Sequence, residues 1–300
     1  MKAGYAGPRV WTPGIAPVAV VMIALNEGHN MDGVLQSLSG WAQEVFLVDS
    51  YSIDETVSIA LQYGVYVVQR KFRGFGDQWN FALRELPISA PWTMKIDPDE
   101  RMTDELKASI LRQICREKQI GISFDRRLWF MGKRLPIKQR IIRIWRSGEC
   151  VFSDVSVNEH PLIYGDVVYI SGELDHYDSP SLHHWYEKQN NYSTLEAISV
   201  FNNDALAEKP IFWGTSLQRR MWLKKYFMKI PFRFLFVFLY YFFFLSLWRS
   251  GKVGFIWSKL RADVYRMREY KLHEMLIAGK ELRILPSGVG SPDYRVKQYD

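Results

Sequence analysis

Short apolar runs alternate with segments of helical periodicity along the first part of the chain. The apolar runs cover residues 18–25, 44–48, 65–69 and 92–96. Helical patterns follow them, through Val34, Leu35 and Leu38 and then over 54–63, 77–86 and 103–117. Strands that alternate with helices at this spacing predict an α/β fold, with a mostly parallel sheet and helices on both faces.

Local signals refine two of these elements. Ser52 and Glu55 have the spacing of a capping box at the start of the helix predicted over 54–63, and Gly64 marks its end. The run 18–25 resembles the apolar centre of a signal peptide, but Asn26 and Glu27 follow at once and no small-x-small cleavage site appears. A buried parallel strand explains the run better.

Polar residues follow the predicted strands, at Asn26–Glu27, Asp49–Ser50, 70–73 and 97–100. Ligands of such sheets bind beyond the carboxyl ends of the strands, so these groups should converge on one edge. Asp49 is a candidate to accept a hydrogen bond from a base or ribose, although an ordinary turn residue is the alternative. The sequence contains neither a G-x-G-x-x-G after the first strand nor a P-loop, which argues against a dinucleotide cofactor.

Two carboxylates, Asp97 and Asp99, flank Pro98 directly after the fourth apolar run. Mg²⁺ typically takes one or two protein carboxylates and fills its other positions with water and phosphate oxygens. The pair therefore predicts a divalent cation in an enzyme whose leaving group is a nucleoside diphosphate. The alternative is an exposed acidic turn before the next helix.

Charge divides the chain into two regions. Residues 209–300 hold 18 Lys/Arg and 6 Asp/Glu, whereas residues 1–208 hold 21 and 26. Aromatic residues make up 15% of the chain. We therefore predict a domain over 1–208 and a basic, aromatic helical region over 209–300.

An apolar, aromatic run covers residues 234–248, with Ser246 as its single polar member and Arg233 and Arg249 at its ends. A spanning helix needs about 20 apolar residues, so this run is too short. Aromatic residues and basic flanks suit a membrane interface. We predict that residues 211–275 attach to a membrane surface without crossing it. A buried core helix is the alternative, and a transmembrane hairpin lacks a second apolar stretch.

Four blocks of the sequence resemble the successive blocks of inverting family 2 glycosyltransferases with the GT-A fold. They read IALNEGHNMDGVLQSL, EVFLVDSYSIDETVSIA, GFGDQWNFAL and WTMKIDPDERMTDEL. The resemblance extends from about residue 18 to residue 276. It is closer to bacterial enzymes of the β-1,4-glucosyltransferase type, which extend the lipopolysaccharide core or other lipid-linked glycans.

The resemblance implies that the domain over 1–208 has a nucleotide-sugar half at about 18–123 and an acceptor half at about 124–208. It also implies roles for residues of the nucleotide-sugar half. Asn26 and Glu27 would border the nucleotide, Asp49 would contact the uracil, and Asn80 would shape the donor pocket. Asp97 would lie near the ribose and the metal.

The resemblance also implies the catalytic and metal-binding residues. Asp99 would bind Mn²⁺ or Mg²⁺ directly, with Asp97 and with His176 as a further ligand. Glu159 would be the catalytic base that takes the proton of the acceptor hydroxyl, and Asp154 is the reserve candidate.

Basic and aromatic residues interleave over 124–147. Arg126, Arg140 and Arg143 are candidates to contact the acceptor or the donor diphosphate. The same composition can indicate nucleic-acid binding or a solvated charged face. Because the basic tail surrounds an uninterrupted apolar run, the sequence favours lipid over nucleic acid.

The sequence thus predicts a metal-dependent inverting glycosyltransferase. It would move a hexose, with glucose favoured, from a UDP-sugar to a lipid-linked or lipopolysaccharide-type acceptor in lipopolysaccharide or exopolysaccharide biosynthesis. The predicted location is the cytoplasmic face of the bacterial inner membrane, as a peripheral or monotopic protein. The alternative is a non-catalytic membrane-associated scaffold with the same fold.

Overall fold

The computed structural model describes residues 10–116, 119–153, 160–202, 211–214, 218–219, 222, 226–227 and 230–282. Its backbone divides into two compact units. The first contains the described residues of 10–129 and 138–180, and the second contains those of 130–137 and 181–282. The predicted domain boundary at residue 208 stays a prediction.

Ten strands and seven α-helices are found in the described parts of the chain. The strands are β1 Ala16–Ala24, β2 Ala42–Asp49, β3 Tyr66–Gln69, β4 Trp92–Lys95, β5 Glu100–Met102, β6 Gly121–Phe130, β7 Lys133–Arg146, β8 Cys150–Phe152, β9 Pro161–Ile163 and β10 Val167–Tyr177. The helices are α1 Gly28–Leu38, α2 Thr56–Gln62, α3 Phe75–Glu85, α4 Asp104–Ile114, α5 Leu182–Phe201, α6 Arg233–Leu239 and α7 Gly251–Ala278.

The main sheet has the strand order β3-β2-β1-β4-β7-β6-β10-β5. Strands β1 to β4 run parallel to one another, and β6 runs parallel to β10. Strand β7 is antiparallel to β4, and β5 is antiparallel to β10. The predicted α/β class with a mostly parallel sheet is confirmed, and the two antiparallel pairings make the sheet mixed.

Strand β1 shows why its sequence is uniformly apolar. Val20 and Met22 pack into a core on one face of the sheet, together with α1 and α4. Ala19 and Val21 pack into a second core on the other face, together with Trp79 of α3. Because both faces are covered by helices, no position of this strand can be polar without a burial cost.

Two local predictions at helix starts differ from the structure. Helix α2 begins at Thr56, and Ser52 does not cap it, because the Ser52 hydroxyl donates to Asp49 instead. Residues 100–102, which lie between the fourth predicted strand and the helix predicted over 103–117, form the short strand β5. Helix α4 then begins after Thr103, whose hydroxyl accepts a hydrogen bond from the Leu106 amide.

The second unit breaks the apolar run into short pieces. Helix α6 continues into a π-helical turn, Tyr240–Phe244, and a 3₁₀ turn, Leu247–Ser250, precedes α7. The break is at Ser246, which has φ 58°. No single helix of the described residues is long and apolar enough to span a membrane. Arg233–Phe244 and Leu247–Ala278 reach the length and apolar composition of a membrane span only when they are taken together, and the angle between the two segments is 71°.

Candidate active site

The loop between β4 and β5 carries the two aspartates of the D-x-D pair, and a network of charged side chains fixes it. Arg143 on β7 donates to Asp97 Oδ2 at 2.7 Å and to Glu100 Oε1 at 2.6 Å. Arg126 on β6 donates to the same Glu100 oxygen at 3.2 Å. The second Glu100 oxygen accepts the Asp97 amide at 3.0 Å, so one buried carboxylate joins both ends of the loop.

The charges of this network balance within the protein. Glu100 is fully buried and the Arg143 side chain is 8% exposed, so neither charge is solvated by bulk water. Burial opposes the ionisation of Asp97, but the attraction of Arg143 and Lys95 outweighs it and lowers the pKa of Asp97 to about 2. Burial disfavours the Arg143 cation, but Asp97 and Glu100 outweigh it and raise the pKa of Arg143. Asp97 therefore stays ionised beside the Arg143 guanidinium.

Asp99 faces a different partner. Its Oδ2 lies 3.1 Å from Nε2 of His176 on β10, and both side chains are about 15% exposed, at 16% and 14%. The pairing of β5 with β10 places Glu100 opposite His176, and the Tyr177 amide donates to the Asp99 carbonyl oxygen. Backbone pairing between residues that are far apart in sequence therefore holds this carboxylate and imidazole together.

The Asp99–His176 pair suits a divalent cation. Two adjacent ligands of an octahedral ion, each about 2.1 Å from the metal, lie about 3.0 Å from each other. The two side chains are 3.1 Å apart, which is a hydrogen-bonding distance and is also close to that edge. A carboxylate oxygen and a neutral imidazole are also donors that Mn²⁺ accepts.

The third predicted metal ligand does not join this pair. Asp97 directs its carboxylate to Arg143, and no group of three His, Cys, Asp or Glu side chains able to hold a metal is found in the described part of the chain. The predicted set of Asp97, Asp99 and His176 is therefore not assembled as one cluster. Metal binding stays a prediction, and it rests on Asp99 and His176.

Arg101 anchors the loop from its other side. Its guanidinium donates to the carbonyl oxygens of Pro98 and Glu100 and to that of Asn30 on α1, at 2.6, 2.8 and 3.0 Å. A methyl group on Gly33 would lie 2.4 Å from the Arg101 Nε atom, so α1 needs glycine there to admit the arginine.

The loops after β1 and β2 are bound to each other. The Asn26 amide donates to Ser52 Oγ at 2.8 Å, and Asn26 Oδ1 accepts the Ile53 amide at 2.9 Å. Asn26 has φ 56°, a left-handed conformation that asparagine tolerates better than most residues. The Glu27 amide donates to Thr56 Oγ1 at 2.8 Å. The structure thus brings the predicted groups at these two strand ends together, as the sheet topology requires.

Asp49 lies at the base of this loop pair. Its side chain is fully buried and accepts hydrogen bonds from the amide and hydroxyl of Ser52 and from the side chain of Gln69, at 2.9 Å for the amide and 2.9 Å for Gln69. The structure therefore shows Asp49 as an anchor of the loop. Its predicted contact with the uracil stays a prediction.

Asn80 on α3 is bound to the backbone of β8. Its amide donates to the Phe152 carbonyl oxygen at 2.9 Å and its carbonyl oxygen accepts the Phe152 amide at 2.8 Å. The Phe152 ring stacks on Trp79, and the Lys95 ammonium lies 4.4 Å from the centre of the Trp79 ring. Asn80 thus fixes the chain at residue 152, and its predicted role in the donor pocket stays a prediction.

The structure separates the three predicted arginine contacts. Arg143 is buried against Asp97 and Glu100 and holds the loop, and its predicted contact with the acceptor or the diphosphate stays a prediction. Arg126 also binds Glu100. Arg140 is 64% exposed and stacks on Tyr169, with 3.9 Å between its guanidinium carbon and the ring centre.

The predicted bases Glu159 and Asp154 lie outside the described residues. Glu100 and Arg101 were missed as site residues in the sequence analysis, although they directly follow Asp99. Their buried partners are 43 and 71 residues away in the sequence, so only the structure reveals them.

Comparison with known proteins assigns the family. The family model of Glycosyl transferase family 2 matches residues 19–227, so the chain belongs to this family. The predictions of a glycosyltransferase and of the GT-A fold class are thereby confirmed.

Individual relatives are more distant. The chain is 28% identical over 253 residues to the lipopolysaccharide core biosynthesis glycosyltransferase LpsC of Rhizobium meliloti (strain 1021), which covers 80% of this chain and 86% of that protein. It is 26% identical over 238 residues to the glycosyltransferase RT0209 of Rickettsia typhi, covering 70% and 78%. Among solved structures, Staphylococcus aureus TarS 1–349 is similar with a TM-score of 0.42 and 14% identity, covering 90% of this chain and 94% of that one.

Proposed function

We propose that this protein is a metal-dependent inverting glycosyltransferase that transfers a hexose, with glucose favoured, from a UDP-sugar to a lipid-linked glycan. The Asp99–His176 pair beside the charge-balanced loop carries the proposal. Arg143 and Arg126 bind Asp97 and Glu100, whereas the Asp99 carboxylate lies against the His176 imidazole. A carboxylate and an imidazole side by side are the two donors that the proposal assigns to the cation.

The residues of the chain would divide the chemistry between them. Asp99 and His176 would hold the divalent ion, which offsets the charge that grows on a departing diphosphate. The anchored loops at Asn26 and Asp49 would receive the nucleotide at the carboxyl ends of β1 and β2. A carboxylate, Glu159 or in reserve Asp154, would take the proton of the acceptor hydroxyl as that oxygen attacks the anomeric carbon.

Metal binding tests the first step of this proposal. We expect Mn²⁺ to bind in the presence of UDP, as measured by the loss of the free-ion electron paramagnetic resonance signal. Asp99→Asn should weaken that binding by at least tenfold, because it removes the ligand charge and keeps the shape. Asp104→Asn is the matched control, since the Asp104 side chain is fully exposed five residues away. Equal Mn²⁺ affinity in wild type and Asp99→Asn would overturn the metal assignment.

The acceptor class is drawn from the relative and from the composition of the chain. The Rhizobium meliloti relative is described as acting in lipopolysaccharide core biosynthesis. This chain carries a basic, aromatic second half, which suits an acceptor held at an anionic membrane. We therefore assign it to lipopolysaccharide or exopolysaccharide biosynthesis at the cytoplasmic face of the inner membrane.

The exposed aromatic side chains of the second unit support attachment to that membrane. Phe236, Phe243 and Phe244 are 54%, 60% and 76% exposed. Soluble proteins rarely expose clustered large apolar side chains without a partner. Replacing all three by Ser should release the protein from vesicles that contain anionic lipid in a flotation assay. Tyr164→Ser, which removes an 84% exposed aromatic side chain of the first unit, should leave flotation unchanged. Flotation of the triple variant at the wild-type level would refute the attachment.

A further inference from the structure

A polar cavity of about 160 Å³ lies between α5 and α7 of the second unit. Eight side chains line it, four from each helix. They are Gln189, Tyr192, Ser193 and Glu196 from α5, and Arg261, Val264, Tyr265 and Arg268 from α7. On each helix the four positions recur every three or four residues, which defines the face that one helix turns to the other.

This composition is unusual for a contact between two helices. Facing stripes at such spacing are normally apolar and close-packed, and voids larger than a water molecule are few in protein interiors. Val264 is the one aliphatic side chain among the eight that line the cavity. The volume is roughly five times the ~30 Å³ that one water occupies in the liquid. A polar cavity of this size has room for a small oxyanion and offers it hydrogen bonds.

Positive charge dominates the lining. Arg261 and Arg268, the two basic residues of the lining, are two helical turns apart on the same face of α7. Glu196 is the carboxylate among the lining residues; it accepts from Arg268 at 3.0 Å and its side chain is 53% exposed. A guanidinium has five N–H donors, more than one carboxylate can accept, so Arg268 can hold Glu196 and an anion together.

Aromatic side chains adjoin the same arginines. The Arg261 guanidinium lies 5.7 Å from the ring centre of Tyr241, in the π-helical turn that exposes Phe243 and Phe244. The Arg268 guanidinium lies 5.1 Å from the ring of Tyr265. A ligand that satisfies both features has an anionic head for the arginines and an apolar chain for the exposed aromatic residues.

We propose that this cavity binds the phosphate group of an anionic amphiphile, with Arg261 and Arg268 as its ligands. Arginine favours phosphate because its planar fork donates two parallel hydrogen bonds to two oxygens. The apolar chain of the ligand would lie against the aromatic residues of the π-helical turn. Its lining residues belong to the second unit, whereas the D-x-D pair belongs to the first.

The test is calorimetric titration of the full chain with dihexanoyl phosphatidylglycerol, kept below the concentration at which it forms micelles. Inorganic phosphate is titrated in parallel as the free anion. We expect the lipid to bind more tightly than inorganic phosphate, and Arg261→Gln/Arg268→Gln to weaken lipid binding by at least tenfold. Arg266→Gln is the control, because Arg266 is on the same helix, 43% exposed and paired with Asp263, and it should bind the lipid as the wild type does.

A second variant protects the test against misfolding. Arg268→Gln alone leaves no buried charge without a partner, because the Glu196 side chain is half exposed. This variant should weaken lipid binding severalfold and keep an unchanged circular dichroism spectrum. Wild-type affinity in the double variant, or an equal loss in Arg266→Gln, would overturn the site. If inorganic phosphate binds as tightly as the lipid, the proposal that the ligand is an amphiphile is refuted. The titration contains neither sugar nucleotide nor divalent ion, so its outcome is independent of the proposed transfer.

Discussion

The charge network around Arg143 makes a prediction about stability that is separate from catalysis. Arg143→Met removes the guanidinium that binds Asp97 and Glu100 and replaces it with an unbranched side chain of similar length. Glu100 is fully buried, so water cannot replace the lost partner. Asp97 keeps 31% of its side chain exposed and is less affected. In the variant, the deeply buried Glu100 carboxylate therefore keeps the Arg126 guanidinium, at the longer distance of 3.2 Å, as the cation that the structure shows beside it.

The expected loss follows from that geometry. Removing one partner of a buried ion pair costs about 3–5 kcal/mol, because the other charge stays buried without compensation. In the wild type the pKa of Asp97 lies below its unfolded value, so its stabilisation is present above about pH 4 and is lost as the pH falls toward 2. Without Arg143 the pKa of Asp97 should rise from about 2 toward its unfolded value, because the largest attraction that lowers it is lost. The Asp97 part of the penalty should therefore shrink as the pH falls from about 4 toward 2, where the wild type loses the same stabilisation.

Urea unfolding at pH 7 and pH 3, followed by circular dichroism, measures this loss. Arg140→Met is the matched control: Arg140 is on the same strand, is 64% exposed and makes a 3.9 Å contact with Asp125. Its substitution should cost no more than about 1 kcal/mol, as for other exposed ion pairs. Equal losses in the two variants at pH 7, or an Arg143→Met penalty that grows toward pH 3, would refute the account of the network.

Three further predictions concern other anchors. Asn80→Ala removes two hydrogen bonds to the Phe152 backbone and should cost roughly 2 kcal/mol, at about 1 kcal/mol for each bond, with faster hydrogen exchange at the Phe152 amide; an unchanged exchange rate would contradict this. Asp49→Ala should weaken UDP binding in calorimetry, because the loop that Asp49 holds borders the proposed nucleotide site; equal UDP affinity would reject that role. Burial lowers the pKa of Lys271 to about 8, and the nearby Glu274 offsets part of that effect. Between about pH 8 and 10.5 the unfolded chain therefore binds more protons than the folded protein, so Lys271 makes the wild-type free energy of unfolding rise with pH over that range. Lys271→Met should show a smaller rise in its urea midpoint over that range, and an identical rise would contradict the assignment.

Strands could be predicted from the sequence where burial is complete. The run 18–25 is apolar without interruption because helices cover both faces of β1, and that pattern is visible in one dimension. The polar groups after β1 and β2 could also be placed, because parallel strands end at the same edge of a sheet. Asn26 and Ser52 meet there as that rule requires.

Side-chain partners that are distant in sequence could not be predicted. The D-x-D pair reads as two equivalent carboxylates, yet Asp97 binds Arg143 and Asp99 binds His176, which are 46 and 77 residues away. Antiparallel β5 brings about the second contact, and three residues are too few to show a strand period. Ser52 has a helix-capping spacing but bonds to Asp49, since a buried carboxylate competes successfully for its hydroxyl.

The central claim is metal-dependent sugar transfer from a UDP-sugar through Asp99. The most direct test measures UDP release from a panel of UDP-sugars by the full-length protein on membranes that contain lipopolysaccharide core acceptors, with Mn²⁺, with Mg²⁺ and with chelator. We expect release with one donor, UDP-glucose favoured, that needs the divalent ion and falls at least a hundredfold in Asp99→Asn. Release that persists in chelator, or at the wild-type rate in Asp99→Asn, would contradict the account, and silence with every donor would favour the non-catalytic scaffold.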